Sequence, residues 1–317
     1  MLILTTLLFF TAIFASNCTS IKSHYYAKAV MYPNRQPIPK TPKDYGLEFE
    51  KIDFKSSDDV LIKAWLIPGT TEKLVIMTHP GSFNKYGWSP KGNPTIGGYP
   101  YDKEVEFMNT AKQLQKQGYW VFTFDFRNQG ESGEGDKGIT GVGLYEATDV
   151  LGAVHYVKKD ERLKNKSIAF LSFCQGANAT IMALSKYKQE LKTAGIKALI
   201  LVQPIAAKEF IYTFAKAEDV ANEDVLIAAE EKCIKRGGPK WDDMNPVPYA
   251  KDIFVPTLHI QAKTDRWVRP EHVKDIYNAI PQPKQMLWIE DKMERFDTYN
   301  YFSQHPEAIL SFLQKNM

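Results

Sequence analysis

The stretch Ser167-Ile168-Ala169-Phe170-Leu171-Ser172-Phe173-Cys174-Gln175-Gly176-Ala177-Asn178-Ala179-Thr180-Ile181-Met182 decides the fold. Ile168 to Leu171 reads as a short apolar strand, and a helix opens at Ala177 after an abrupt turn of small residues. Cys174 stands at the apex, with Ser172 and Gly176 two residues to either side. A strand–turn–helix of this kind is an elbow, in which a strained turn lifts one side chain out at the end of a sheet. Small flanking residues are needed because strand end and helix start pass close together, and glycine tolerates unusual backbone angles.

Working outward, short continuous apolar runs alternate with helical patterns. Leu47 to Phe54 and Val60 to Ile67 form a hairpin around Ser56-Ser57-Asp58-Asp59. Leu74 to Thr78, Trp120 to Phe124, Ala198 to Val202, Thr257 to Gln261 and Gln285 to Ile289 read as further strands. Helices are predicted over Lys103 to Gln117, Tyr145 to Val157, Pro270 to Ala279 and Pro306 to Lys315. Apolar strands alternating with helices imply an α/β fold: a mostly parallel sheet of about eight strands, helices on both faces and an antiparallel pair at its start. Ligands in such sheets bind at the carboxyl ends of the strands. The Cys174 turn, His79-Pro80-Gly81-Ser82, the Asp125 loop and the segment after Gln261 all fall at that edge.

Three of these segments resemble the α/β-hydrolase family: the elbow Ser172-Phe173-Cys174-Gln175-Gly176, His79-Pro80-Gly81 at the end of the third strand, and Asp125-Phe126-Arg127-Asn128-Gln129-Gly130-Glu131-Ser132. The last is similar to the family's Asp-x-Arg-Gly-x-Gly-x-Ser run. A Cys apex resembles the dienelactone-hydrolase branch, whose elbow reads Gly-x-Cys-x-Gly; here Ser172 stands in the first Gly's place. The resemblance covers roughly residues 47 to 315 and implies acyl transfer by a nucleophile, a base and an orienting acid. It gives Cys174 the nucleophile's role, and the backbone N–H of Gln175, with one near Gly81 and Ser82, the oxyanion hole. Ala262-Lys263-Thr264-Asp265-Arg266-Trp267-Val268-Arg269-Pro270 resembles the family's Gly-x-x-Asp-x-x-Val-x-Pro, which puts Asp265 in the acid's place; a loop Asp capping the next helix is the other reading.

The base is the departure. The family's His follows the last strand, where this chain reads Glu290-Asp291-Lys292-Met293-Glu294-Arg295-Phe296-Asp297. Glu294 or Arg295 takes the missing residue's place, and His79 is the one histidine at the active edge. A carboxylate there could deprotonate a thiol if burial raised its pKa, whereas an arginine could only stabilise a thiolate. The aromatic run from Arg295 to Pro306 reads as packing under the last helix, with substrate binding as the other reading. Two functions therefore stand open: a hydrolase acting on an ester, lactone or other acyl substrate through Cys174, and a catalytically impaired member that keeps its pocket for a ligand or partner.

The rest of the chain bounds these readings. With 44% hydrophobic and 24% charged residues the composition is that of an ordinary globular protein, and a dispersed net charge of +3 gives no reason to expect a nucleic-acid partner. No metal or phosphate motif implies a cofactor. Cys18, Cys174 and Cys233 have no framework or zinc-ligand spacing. Leu2 to Phe14 is an almost unbroken apolar run ending in small residues, which reads as a signal peptide or N-terminal anchor over residues 1–18. This predicts an exported, periplasmic or membrane-anchored protein, with Cys18 placed for lipidation. Residues 19–46 read as a linker, 47–317 as the hydrolase-like domain, and about 205–251 as a small helical cap over the pocket.

Overall fold

The computed structural model describes residues 19–317 except 93, 97, 98 and 291. The expected signal or anchor segment and the Cys18 lipidation site lie outside the described residues. Among those described, no helix is long and apolar enough to cross a membrane.

The apolar runs form one sheet from β1 (Glu50–Lys55), β2 (Leu61–Ile67), β3 (Lys73–Thr78), β4 (Trp120–Phe124), β5 (Ser167–Phe173), β6 (Ile196–Val202), β7 (Thr257–Ala262) and β8 (Lys284–Ile289), in the order β1-β2-β4-β3-β5-β6-β7-β8. The strand β2 runs antiparallel to both β1 and β4, and every other pairing is parallel. Side chains alternate across the pleat, so each central strand feeds two cores. Val75, Met77, Leu171 and Ile200 join one cluster with α2 (Phe107–Lys116) and the C-terminal helix Glu307–Asn316. Ile76, Phe170 and Leu199 join the other with α3 (Ala147–Lys159), α4 (Gln175–Lys186) and the helix Pro270–Ala279. Strands buried on both faces need continuous apolar sequence, which is why the runs were recognisable.

A third cluster lies over the carboxyl edge. Helices α5 (Ala207–Ala217) and α6 (Glu223–Lys235) contribute Ile211, Ala215, Leu226, Ala229 and Cys233, packed with Trp241 and Met244. Ala27 and Met31 complete it. The supposed linker is thus part of the cap: residues 19–31 are helical, and Cys233 Sγ contacts the Ala27 carbonyl at 3.8 Å. The chain beyond stays docked, with Arg35 Nη1 donating to the Gly130 and Ser132 carbonyls at 3.0 and 2.7 Å. Asn84 Nδ2 holds the Gln36 carbonyl at 3.0 Å. The linker expectation differs from the structure because the buried face of residues 19–31 is made of small and isolated side chains, Ser23, Ala27 and Met31, whose partners are some 200 residues away in sequence.

Candidate active site

Cys174 follows β5 with φ 49° and ψ −111°, then α4 begins at Gln175, two residues before the sequence pattern suggested. Such backbone angles cost a non-glycine residue of order 1–3 kcal/mol and persist only where surroundings enforce them. The enforcement is visible. The Cys174 amide donates to the Val202 carbonyl at 2.8 Å, and a Cβ on Gly176 would come within 2.5 Å of Thr78 Oγ1 and 2.8 Å of the His79 carbonyl. Ser172 fits the place of the usual first glycine because its hydroxyl lies 2.9 Å from Thr180 Oγ1 on the next turn of α4.

The sequence left three candidates for the base, and the geometry separates them. His79 is buried, its Nδ1–H donates to the Pro80 carbonyl at 2.7 Å, and its Nε2 accepts from the Phe126 amide at 3.0 Å. Burial, only partly opposed by Asp125 and the Pro80 carbonyl, lowers its pKa to about 4. With both nitrogens engaged it is a neutral brace between two loops, so the expectation of His79 as base fails. Glu294 is exposed, its carboxylate accepts from Tyr99 Oη at 3.1 Å, and it is not among the residues lining the Cys174 cavity, so it fails likewise.

Arg295 is the residue in place. Its side chain is 1% exposed, and Nη1 donates to Asp265 Oδ2 at 2.5 Å. Nη2 donates to the Gln203 carbonyl at 2.5 Å, while Gln203 Nε2 returns a bond to the Arg295 carbonyl at 2.9 Å. Gln203, itself at φ 52° beyond β6, therefore clamps the arginine at both ends. Asp265 spends its remaining capacity on Gln261 Nε2 at 2.9 Å and the Trp267 amide at 3.1 Å. Burial by itself would lower the Arg295 pKa, but Tyr299, Asp265 and Cys174 outweigh it and hold the guanidinium above its ordinary range. Arg295 thus lies between Cys174 and Asp265, interacting with both.

Tyr299 is a partner that sequence reasoning did not single out, placing it in an aromatic run read first as packing. It sits four residues after Arg295, fully buried, with its ionisation pushed well above the ordinary value, first by burial. Tyr299 and Arg295 both interact with the Cys174 sulfur, and apart from it the Tyr299 hydroxyl and Arg295 Nε have no hydrogen-bond partner among the described residues. The other aromatic residues of that run do pack as expected: Phe296 contacts Tyr101, Trp267 and Phe83.

The oxyanion candidates also separate. Ser82, at φ 60°, gives its amide to Gln129 Oε1 at 2.8 Å and is occupied, which corrects its place in the hole. The Gln175 amide opens α4 and has no intrahelical partner. The Gly81 amide makes no hydrogen bond among the described residues. A Cβ on Gly81 would lie 2.6 Å from Gln175 Oε1, so glycine lets the two segments meet. The Asp125 loop supplies structure: buried Lys85 Nζ pairs with Asp125 Oδ2 at 2.6 Å, and Arg127 pairs with buried Asp149 at 2.7 Å.

Cys174, 9% exposed, looks into a cavity of about 180 Å³. Phe210, Ile211 and Phe214 of α5 wall it, with Phe296, and residues 19–31 contribute Tyr26 and Val30. Among the described residues no group of three metal-ligating side chains exists.

The fold as a whole recurs in solved proteins. An esterase of Pyrococcus furiosus, Pf2001, superimposes with a TM-score of 0.67 at 23% identity over 91% of this chain and 98% of its own. The chain has the α/β-hydrolase fold. GrgF, an alpha/beta hydrolase from Penicillium sp. sh18, matches at a TM-score of 0.58 and 18% identity over 86% of this chain and 99% of its own. An acetyl xylan esterase from Paenibacillus sp. R4 matches at 0.56 and 15%, covering 90% of this chain and 97% of that one. No family model matches the sequence, and no curated protein does.

Proposed function

We propose that the chain performs acyl chemistry on an ester, lactone or thioester-like compound, with Cys174 as the nucleophile. The observation that carries this reading is the alignment of Cys174 with Arg295 and of Arg295 with Asp265, at an elbow beside the Gly81 and Gln175 amides. A thiol needs less help than a hydroxyl, since a few per cent of it is ionised near neutrality without any base. The Arg295 guanidinium and the N-terminus of α4 both lie next to Cys174. As sulfur attacks the acyl carbon, the carbonyl oxygen gains charge between the two amides, an interaction worth about 3 kcal/mol per well-aimed donor. The cavity is smaller than the roughly 300 Å³ at which drug-sized ligand sites begin, which supports a short acyl group. Two of the structural neighbours are named esterases, which agrees with this reading. We place the protein outside the cytoplasm or anchored by its N-terminus, on the strength of the Leu2 to Phe14 run.

The test is release of p-nitrophenolate from short-chain p-nitrophenyl esters. Cys174→Ala should lower it by about a thousandfold or more; equal release from both proteins would end the proposal. One observation favours a second reading, a ligand-binding protein without turnover: the residue in the base's place is an arginine, which takes no proton. Under that reading the wild type releases no p-nitrophenolate while short acyl compounds still raise its melting temperature.

A further inference from the structure

We infer that the acyl group on Cys174 is passed to a thiol rather than to water. This rests on the acyl chemistry just proposed and concerns its second half. An acyl-enzyme is cleared when a base takes a proton from the attacking group. Around Cys174 the described residues offer no such base. Arg295 is buried and ion-paired with Asp265, the Tyr299 hydroxyl is buried and held protonated, His79 has both nitrogens bonded, and Glu294 is exposed beside Tyr99. His259 is buried inside β7 with neither ring nitrogen bonded, and its nearest aromatic neighbour is Tyr277.

Water, an alcohol or an amine would therefore attack unaided. A small thiol differs because it ionises in bulk solvent, with an ordinary pKa of about 8.5, and arrives already deprotonated. Its thiolate attacks the thioester carbon on Cys174, and the oxygen charge is held by the Gly81 and Gln175 amides. The bond from that carbon to Cys174 Sγ then breaks, while the bond to the acceptor sulfur remains. Cys174 leaves as a thiolate beside Arg295, and the acceptor's proton has already gone to solvent. One thioester is consumed and one formed, so atoms and charge balance without an oxidant or reductant. The Arg295 guanidinium lies next to the departing sulfur, which suits exchange between sulfur acceptors.

The experiment uses the full chain, p-nitrophenyl butyrate and intact-protein mass spectrometry with peptide mapping. One butyryl group should appear on Cys174 and persist in buffer. Millimolar 2-mercaptoethanol should then shorten its lifetime by about tenfold or more, with S-butyryl mercaptoethanol as the product. Arg295→His, which supplies a proton acceptor in the same place, should raise clearance by water relative to clearance by thiol. A label on Cys174 that water removes as fast as thiol does would overturn this inference and leave the acyl chemistry standing. Steady p-nitrophenolate release that Cys174→Ala abolishes, with no label accumulating in buffer, would likewise overturn this inference alone; no label and no release would overturn both.

Discussion

Replacing Asp265 by Asn isolates what the buried pair contributes. Arg295 and Asp265 side chains are 1% and 2% exposed, with the guanidinium nitrogen 2.5 Å from the carboxylate. Removing one charge of a buried pair leaves the other uncompensated, which costs about 3–5 kcal/mol. Asn keeps an oxygen for the Trp267 amide, while its NH2 faces the Arg295 Nη1 and Gln261 Nε2 donors from which Oδ2 accepts, so charge and two hydrogen bonds are lost together. Adding Arg295→Met removes the stranded charge and, with similar side-chain length, keeps the space filled. The pair replaced together should cost about 1–2 kcal/mol, because apolar replacement of a whole buried pair is often nearly neutral. Urea unfolding followed by tryptophan fluorescence measures all four proteins, and the midpoints should move at constant m. The double variant should therefore be more stable than Asp265→Asn alone by about 2 kcal/mol. An Asp265→Asn cost below about 1 kcal/mol, or no relief from Arg295→Met, would refute the buried-pair argument.

Three further outcomes are expected. Iodoacetamide should modify Cys174 at least about tenfold faster than Cys233, whose thiol is 1% exposed and pushed up to about 11 by burial; equal rates would count against the elbow geometry. Gly176→Ala should lose about 1–3 kcal/mol of unfolding free energy, because its Cβ meets Thr78 Oγ1 at 2.5 Å and the His79 carbonyl at 2.8 Å; a neutral result would mean the elbow can shift. His259 is buried with its pKa lowered to about 3, so the unfolded chain binds its proton first as pH falls. Its contribution is complete above the ordinary value of about 6.5 and declines toward pH 3 by about 1.4 kcal/mol per unit, and His259→Leu, which breaks no hydrogen bond, should flatten that acid limb.

The central strands were legible because each is buried on both faces and so reads as an uninterrupted apolar run, as in Val75, Ile76 and Met77. Pro270–Ala279 was legible to the residue, since Pro marks its first turn. Residues 19–31 were not, because their buried positions make sense only against α6, and α6 is distant in sequence. The site divides the same way. Cys174 and Asp265 follow strand ends and announce themselves by local pattern. Arg295 could be narrowed only to a choice with Glu294, since facing inward or outward depends on the turn that follows β8. Tyr299 carried one weak signal, its spacing of four from Arg295 on a turn. Gln203 carried none, because both its carbonyl and its side-chain amide meet Arg295, 92 positions away in sequence, from a positive-φ turn that no local pattern marks.

The central claim is that Cys174, beside Arg295 and Asp265, is a reacting nucleophile. Peptide mapping of the full chain after brief exposure to p-nitrophenyl butyrate tests it most directly. The account predicts one butyryl group per chain on the peptide that contains Cys174 and none on the peptide that contains Cys233. An unmodified Cys174, or the acyl group on any other residue, would contradict it.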